Sequence, residues 1–82
     1  MYFVYILKSC EYQKSYIGIT DDLERRLSQH NSRYYTYTKR YLPWEIIYIE
    51  NFSTRLKARE REKYFKTSSG RRWLRNNVFK KI

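Results

Sequence analysis

Cysteine occurs once in this sequence, as Cys10, which excludes an internal disulfide and any cysteine-based zinc site. That thiol has no second thiol or histidine beside it and reads as a bystander in a turn. Such usage suits a reducing, cytoplasmic setting. Long hydrophobic runs are also missing. The longest purely apolar stretch lies within Tyr2–Leu7, far short of the roughly 20 residues of a membrane-spanning helix. Lys8 follows that run rather than preceding it, which is not the layout of a secretory signal. Acidic residues are the third scarcity: 8 Asp and Glu stand against 18 Lys and Arg, a net charge of +10. The natural partner for such a chain is a polyanion, nucleic acid first and an anionic membrane surface second. The basic residues cluster rather than scatter, which favours a binding surface over a merely basic exterior.

What is present suits one small folded unit. Hydrophobic residues make up 41% of the 82 positions, with ten tyrosines, four phenylalanines and two tryptophans; one compact core and a single domain over 1–82 follow. Tyr2–Leu7, aromatic and β-branched, reads as a strand, with Phe3, Tyr5 and Leu7 on one face and Tyr2, Val4 and Ile6 on the other. Tyr16–Thr20 reads as a second strand, joined to the first by a hairpin loop over Lys8–Ser15. Gly18 inside it marks a close approach of backbone.

A helix is expected from about Asp21, whose spacing to Glu24 is that of a capping box. Leu23, Arg26, Leu27 and His30 share one face of it, while Arg25 points almost opposite. Asn31–Leu42 is a polar, tyrosine-rich connection; its aromatics and bases suit either stacking on nucleobases or packing onto the domain. Pro43 opens a third strand running from Trp44 to Ile49. Ser53 or Thr54 caps a helix to about Thr67, with Ala58, Glu62 and Phe65 on a similar side, and Ser68–Gly70 ends it. A last short helix near Arg71–Phe79 docks through Trp73, Leu74 and Val78. The order is β-β-α-β-α-α: an α+β fold with a small, mainly antiparallel three-stranded sheet flanked by helices.

Taken alone, the polar residues of this frame are ordinary. Tyr5 and Tyr16 read as strand tyrosines with hydroxyls at the core edge, and His30, the only histidine, as a helix-end residue. Glu62 and Lys66 form an i,i+4 ion pair worth roughly 0.3–0.5 kcal/mol. Trp44 and Trp73 are core aromatics. Arg26, beside the leucine stripe, is the one that looks placed for a purpose.

The combination in order changes the reading. Phe3-Val4-Tyr5, an intact Tyr16-Ile17-Gly18, Asp22-Leu23-Glu24-Arg25-Arg26-Leu27, His30, and then Ala58, Glu62 and Lys66 resemble the GIY-YIG nucleases over nearly the whole chain. The likeness is greatest to small stand-alone bacterial members, and Lys66-Thr67-Ser68-Ser69-Gly70-Arg71 is similar to a stretch in one subgroup of these. The first triplet departs from the pattern: its glycine and isoleucine are replaced, and its tyrosine is kept.

The resemblance implies a metal-dependent endonuclease that hydrolyses phosphodiester bonds in nucleic acid, DNA before RNA. By it, Glu62 holds one Mg2+ or Mn2+ ion, a hard cation that takes carboxylate oxygen and keeps several waters. Arg26 contacts the scissile phosphate. Tyr5 and Tyr16 flank the attacking water, either of them the base, and His30 orients or protonates. A free phenol has a pKa near ~10, so a tyrosine base needs a neighbouring cation to favour the phenolate. Lys39, Arg40, Lys66 and Arg71 are candidate nucleic-acid contacts. A homodimer would allow both strands to be cut, and repair, junction processing or degradation of foreign DNA are the roles open to such an enzyme. The competing reading is a basic nucleic-acid-binding module without catalysis; a basic adaptor for an acidic protein is a third.

Overall fold

A computed structural model describes residues 1–81 of the chain; Ile82, the end of the expected 1–82 domain, lies outside the described residues. The elements follow the expected order: β1 (Tyr2–Ser9), β2 (Ser15–Thr20), α1 (Leu23–Asn31), β3 (Trp44–Phe52), α2 (Arg55–Phe65) and α3 (Ser68–Asn77). Short 3-10 helices occupy Thr38–Tyr41 and Phe79–Lys81. The sheet is antiparallel throughout, in the order β2-β1-β3. Among the described residues no helix is long and apolar enough to cross a membrane.

β1 is central, and both its faces are buried. Val4 and Ile6 join Ala58, Phe65, Leu74 and Val78 beneath α2 and α3, while Tyr5 and Leu7 join Trp44, Leu23 and Leu27 beneath α1. Each fully buried aliphatic or Phe side chain contributes about 1.5–3 kcal/mol, so these two layers carry the fold. Tyr48 also packs against the α2 and α3 layer, its ring centre 5.9 Å from that of Trp73 and tilted to it.

Strand β3 departs from strict alternation. Its register to β1 shifts between Ile6 and Leu7, pairing Ile6 with Tyr48 but Leu7 with Ile46. Ile47 is the extra residue of a β-bulge. Trp44 and Ile46 therefore face α1, whereas Ile47, Tyr48 and Phe52 all pack under α2 and α3. Glu50, opposite Val4, is carried to the same side. There it accepts from Arg61 Nε at 2.8 Å and Nη2 at 3.1 Å, and from the Tyr48 hydroxyl at 2.5 Å. Burial works to raise the Glu50 carboxyl, but these donors outweigh it and hold it below the usual carboxylate range. Arg61 also lies 4.4 Å from the Phe65 ring centre and 5.0 Å from that of Trp73. This knot fixes α2 on the sheet at the residue before Glu62.

Two helix boundaries differ from expectation. Asp22, not Asp21, caps α1: its carboxylate accepts from Arg25 N at 3.0 Å, and its own N–H is held by Thr20 Oγ1. Asp21 is left outside, in an exposed ion pair with Arg25. Ser68–Gly70 does not end α2, which closes at Phe65; it forms the first turn of α3, capped by Thr67 accepting from Gly70 N at 3.1 Å. Gly70 is a packing residue, since a Cβ there would overlap the Tyr64 carbonyl and lie 2.7 Å from the Phe65 Cα.

Candidate active site

The site forms where β1 and β2 lie side by side under α1. Tyr5 pairs with Gly18 across the hairpin, and Tyr16 precedes Gly18 by two residues on the same face. The tyrosine-glycine pairing has a steric cause: a Cβ on Gly18 would lie 2.6 Å from the Tyr5 hydroxyl and 3.0 Å from the Tyr16 ring. The absent side chain lets the Tyr5 phenol lie over the second strand, with the two tyrosine ring centres 6.3 Å apart.

Helix α1 delivers His30 and Arg26. Leu23 and Leu27 seat it on the sheet, so His30 at the next turn is fully buried while Arg25 stays in solvent. His30 Nε2 shares a hydrogen bond of 3.0 Å with the Tyr5 hydroxyl, and its Nδ1 shares one of 3.0 Å with Thr38 Oγ1. Its ring lies between those of Tyr16 and Tyr35, with centres 4.7 and 4.6 Å away and planes tilted by 56° and 37°. Thr38 is held in turn: its carbonyl accepts from Trp44 Nε1 at 2.7 Å, and Asn31 clasps the Trp44 backbone from the end of α1. Arg26 Nη1 donates to the Tyr35 hydroxyl at 2.7 Å, and that hydroxyl donates to Gln29 Oε1. Arg26 Nε is buried and has no hydrogen-bond partner among the described residues.

Electrostatics set the protonation states. Burial and the neighbouring phenol of Tyr16 push Tyr5 well above the usual tyrosine range, against an opposing pull from Arg26. Burial also raises Tyr16, with Tyr35 and Glu62 adding to it. Arginine therefore favours the phenolate, as expected, yet desolvation outweighs it, and both phenols are neutral near pH 7. Burial, and then the Arg26 charge, lower His30 from 6.5 to about 4, leaving a neutral imidazole.

Glu62 comes from the opposite layer, on α2. Its side chain is only 16% exposed and accepts from Lys66 Nζ at 3.2 Å. Its charge opposes ionisation of both Tyr5 and Tyr16, and its partner Lys66 lines the same cavity as Tyr16. Among the described residues no three His, Cys, Asp or Glu side chains form a cage for a metal ion. One carboxylate beside an arginine and neutral phenols fits a hard cation that keeps its waters and takes phosphate oxygen as a further ligand, not a closed protein site.

Of the other expected contacts, Lys66 and Arg71 line a cavity of about 590 Å³ that also includes Tyr16. Lys39 and Arg40 are exposed on the 3-10 helix and line neither of the cavities beside β2. In the tyrosine-rich connection Tyr35 packs against His30, while Tyr34 and Tyr37 are 68% and 44% exposed. Sequence reasoning missed Thr38 and Gln29, which carry no motif.

The chain matches the family model described as the GIY-YIG catalytic domain over residues 1–76. It is 41% identical over 66 residues to the UPF0213 protein YazA of Bacillus subtilis, covering 79% of this chain and 66% of that protein. A UPF0213 protein of Lactococcus lactis subsp. cremoris is 37% identical over 84 residues, 96% of this chain and 85% of the relative. The solution NMR structure of the UPF0213 protein BH0048 from Bacillus halodurans superposes with a TM-score of 0.54 at 27% identity, covering 92% of this chain and 82% of that one.

Proposed function

The chain belongs to the GIY-YIG catalytic-domain family, a family of nucleases, and on that premise we propose that it is an endonuclease hydrolysing phosphodiester bonds in nucleic acid, DNA before RNA, with one Mg2+ or Mn2+ held by Glu62. The observation that carries this is the hydrogen-bonded chain Tyr5–His30–Thr38 beside an arginine whose buried Nε lacks an acceptor. An unsatisfied buried donor on a charged group costs about 1–3 kcal/mol or more. A phosphate oxygen would remove that penalty, so Arg26 reads as a phosphate seat kept ready for substrate.

Each residue then has a task. Tyr5 is the base-side phenol, because it alone is bonded to a neutral imidazole. As water attacks phosphorus, its proton passes to the Tyr5 oxygen while the Tyr5 proton passes to His30 Nε2. Thr38 holds the tautomer in which Nδ1–H donates to its hydroxyl. The new P–O bond forms, the bond to the leaving oxygen breaks, and that oxygen takes a proton from solvent. Tyr16, on the cavity wall and neutral, donates to a phosphate oxygen; Arg26 neutralises charge developing on the phosphoryl group. A bound cation supplies further neutralisation of that charge. The second reading, a binding module without catalysis, has one observation on its side: Lys66 already engages a Glu62 oxygen.

The test is cleavage of labelled single-stranded, duplex, flap and branched DNA, with matching RNA, in Mg2+, Mn2+ or chelator. Cutting that requires the metal and favours DNA is expected. Binding without cutting under every metal condition would move the chain to the second reading.

A further inference from the structure

Strand β2 is an edge of the sheet, and two cavities lie against it. One, of about 590 Å³, has Tyr16, Tyr37, Lys66, Arg71 and Arg75 in its walls. The other, of about 440 Å³, has Lys8 and Lys14. Ser15 and Phe79 belong to both, so the two are lengths of one groove leading away from the candidate active site. We infer that this groove is the track of a polynucleotide strand, carrying the phosphates that flank the bond to be cut; the inference rests on the nuclease reading above.

Three features support that occupant. Among the described residues the groove holds five cations and no carboxylate in its walls. Those cations arrive from separate elements: Lys8 from β1, Lys14 from the hairpin turn, Lys66 from the end of α2, and Arg71 and Arg75 from α3. Gathering like charges in one concavity raises their mutual repulsion, and a polyanion relieves it. Second, among the described residues Lys8, Lys14, Arg71 and Arg75 form no ion pair, whereas Lys66 is bound to Glu62 and marks the groove's active-site end. Third, Tyr37 is exposed, with its ring centre 6.3 Å from that of Tyr16, and offers a nucleobase an aromatic face beside the phosphate-binding cations. Charged side chains also guard sheet edges against pairing with other chains. That role does not explain Arg71 and Arg75, one turn apart on a helix rather than on the edge strand.

The experiment removes two of the cations, Lys14→Gln with Arg75→Gln, both exposed. A control pair, Lys57→Gln with Arg59→Gln, removes equal charge from exposed positions of α2 that line neither cavity. Affinity for labelled single-stranded and duplex oligonucleotides is measured in chelator as salt is raised. Loss of two phosphate contacts should shallow the slope of log K against log[salt] by about 1.4 for a single strand and about 1.8 for a duplex. Between about 50 and 200 mM salt the groove pair should then lose roughly seven- to twelvefold less affinity than wild type. The control pair should keep the wild-type slope. A groove pair indistinguishable from the control overturns the inference, as does a wild type that binds neither oligonucleotide. Because binding is read without metal, a protein that shows the predicted slopes but never cuts would sink the nuclease reading alone.

Discussion

Gly18→Ala alters the candidate site without removing any of its functional groups. The new Cβ would lie 2.6 Å from the Tyr5 hydroxyl and 2.8 Å from its Cζ, where ordinary contact begins at 3.4 Å. The phenol must retreat by about 0.8 Å, the difference of those two distances, or the strands must part. Tyr5 is 2% exposed, and its hydroxyl sits 3.0 Å from His30 Nε2. A shift of that size breaks the phenol–imidazole hydrogen bond. Misplacing a catalytic group by about 1 Å costs on the order of 100-fold in rate. Overpacking should lower stability by about 1–3 kcal/mol, and each kcal/mol lowers Tm by roughly 4–8 °C in a domain of this size. The assay pairs single-turnover cleavage of a labelled oligonucleotide in Mg2+ with a thermal melt. A variant that melts cooperatively, about 4–24 °C early, and cuts about 100-fold more slowly is expected. A folded variant cutting within about threefold of wild type would refute the claim that the Tyr5–His30 contact carries the chemistry.

Two further outcomes follow from the packing. His30 ionises near 6.5 when unfolded and at about 4 in the fold, so the unfolded chain takes up the proton first as pH falls. Its contribution to stability is complete above pH 6.5 and is lost progressively towards pH 4, roughly 3 kcal/mol in all. Urea unfolding at several pH values should show a shallower acid decline in His30→Gln than in wild type, and equal slopes would contradict the buried neutral imidazole. Gly70→Ala should cost at least about 3 kcal/mol, because its Cβ would meet the Tyr64 and Phe65 backbone rather than a movable side chain. A melt close to that of wild type would show that α2 and α3 do not pack as closely as described.

Much of this was legible in the residues because burial repeats with a period. The 3.6-residue spacing of Leu23, Leu27 and His30 separates Arg26 from Arg25, and the structure keeps one beside Tyr35 and the other in solvent. Alternation along β1 assigns its two faces correctly, since both sides of a central strand are covered. Other features have no periodic signal. The bulge at Ile47 leaves no mark in an apolar run, yet it carries Glu50 round to Arg61. Asp21 and Asp22 are equally good caps by type, and the choice is made by Thr20 holding the Asp22 N–H. Ser68–Gly70 reads as a helix stop because glycine commonly is one, whereas here it permits close approach of two helices. Thr38 reaches His30 only through the folding of an irregular connection, so nothing in its neighbours pointed to it.

The measurement that bears most directly on the proposed catalysis compares wild type with Glu62→Gln on the best-cut DNA of the panel, reading binding and Mg2+-dependent cleavage separately. The substitution keeps the size of a side chain that is 16% exposed and removes only its charge. Binding should persist or tighten as a negative charge leaves a basic surface, while cleavage should fall by at least about 100-fold, on the order expected when an electrostatic element of the transition-state site is lost. Cleavage that survives in Glu62→Gln at the wild-type rate and with the wild-type metal dependence would contradict Glu62 as the metal's ligand and the site as described.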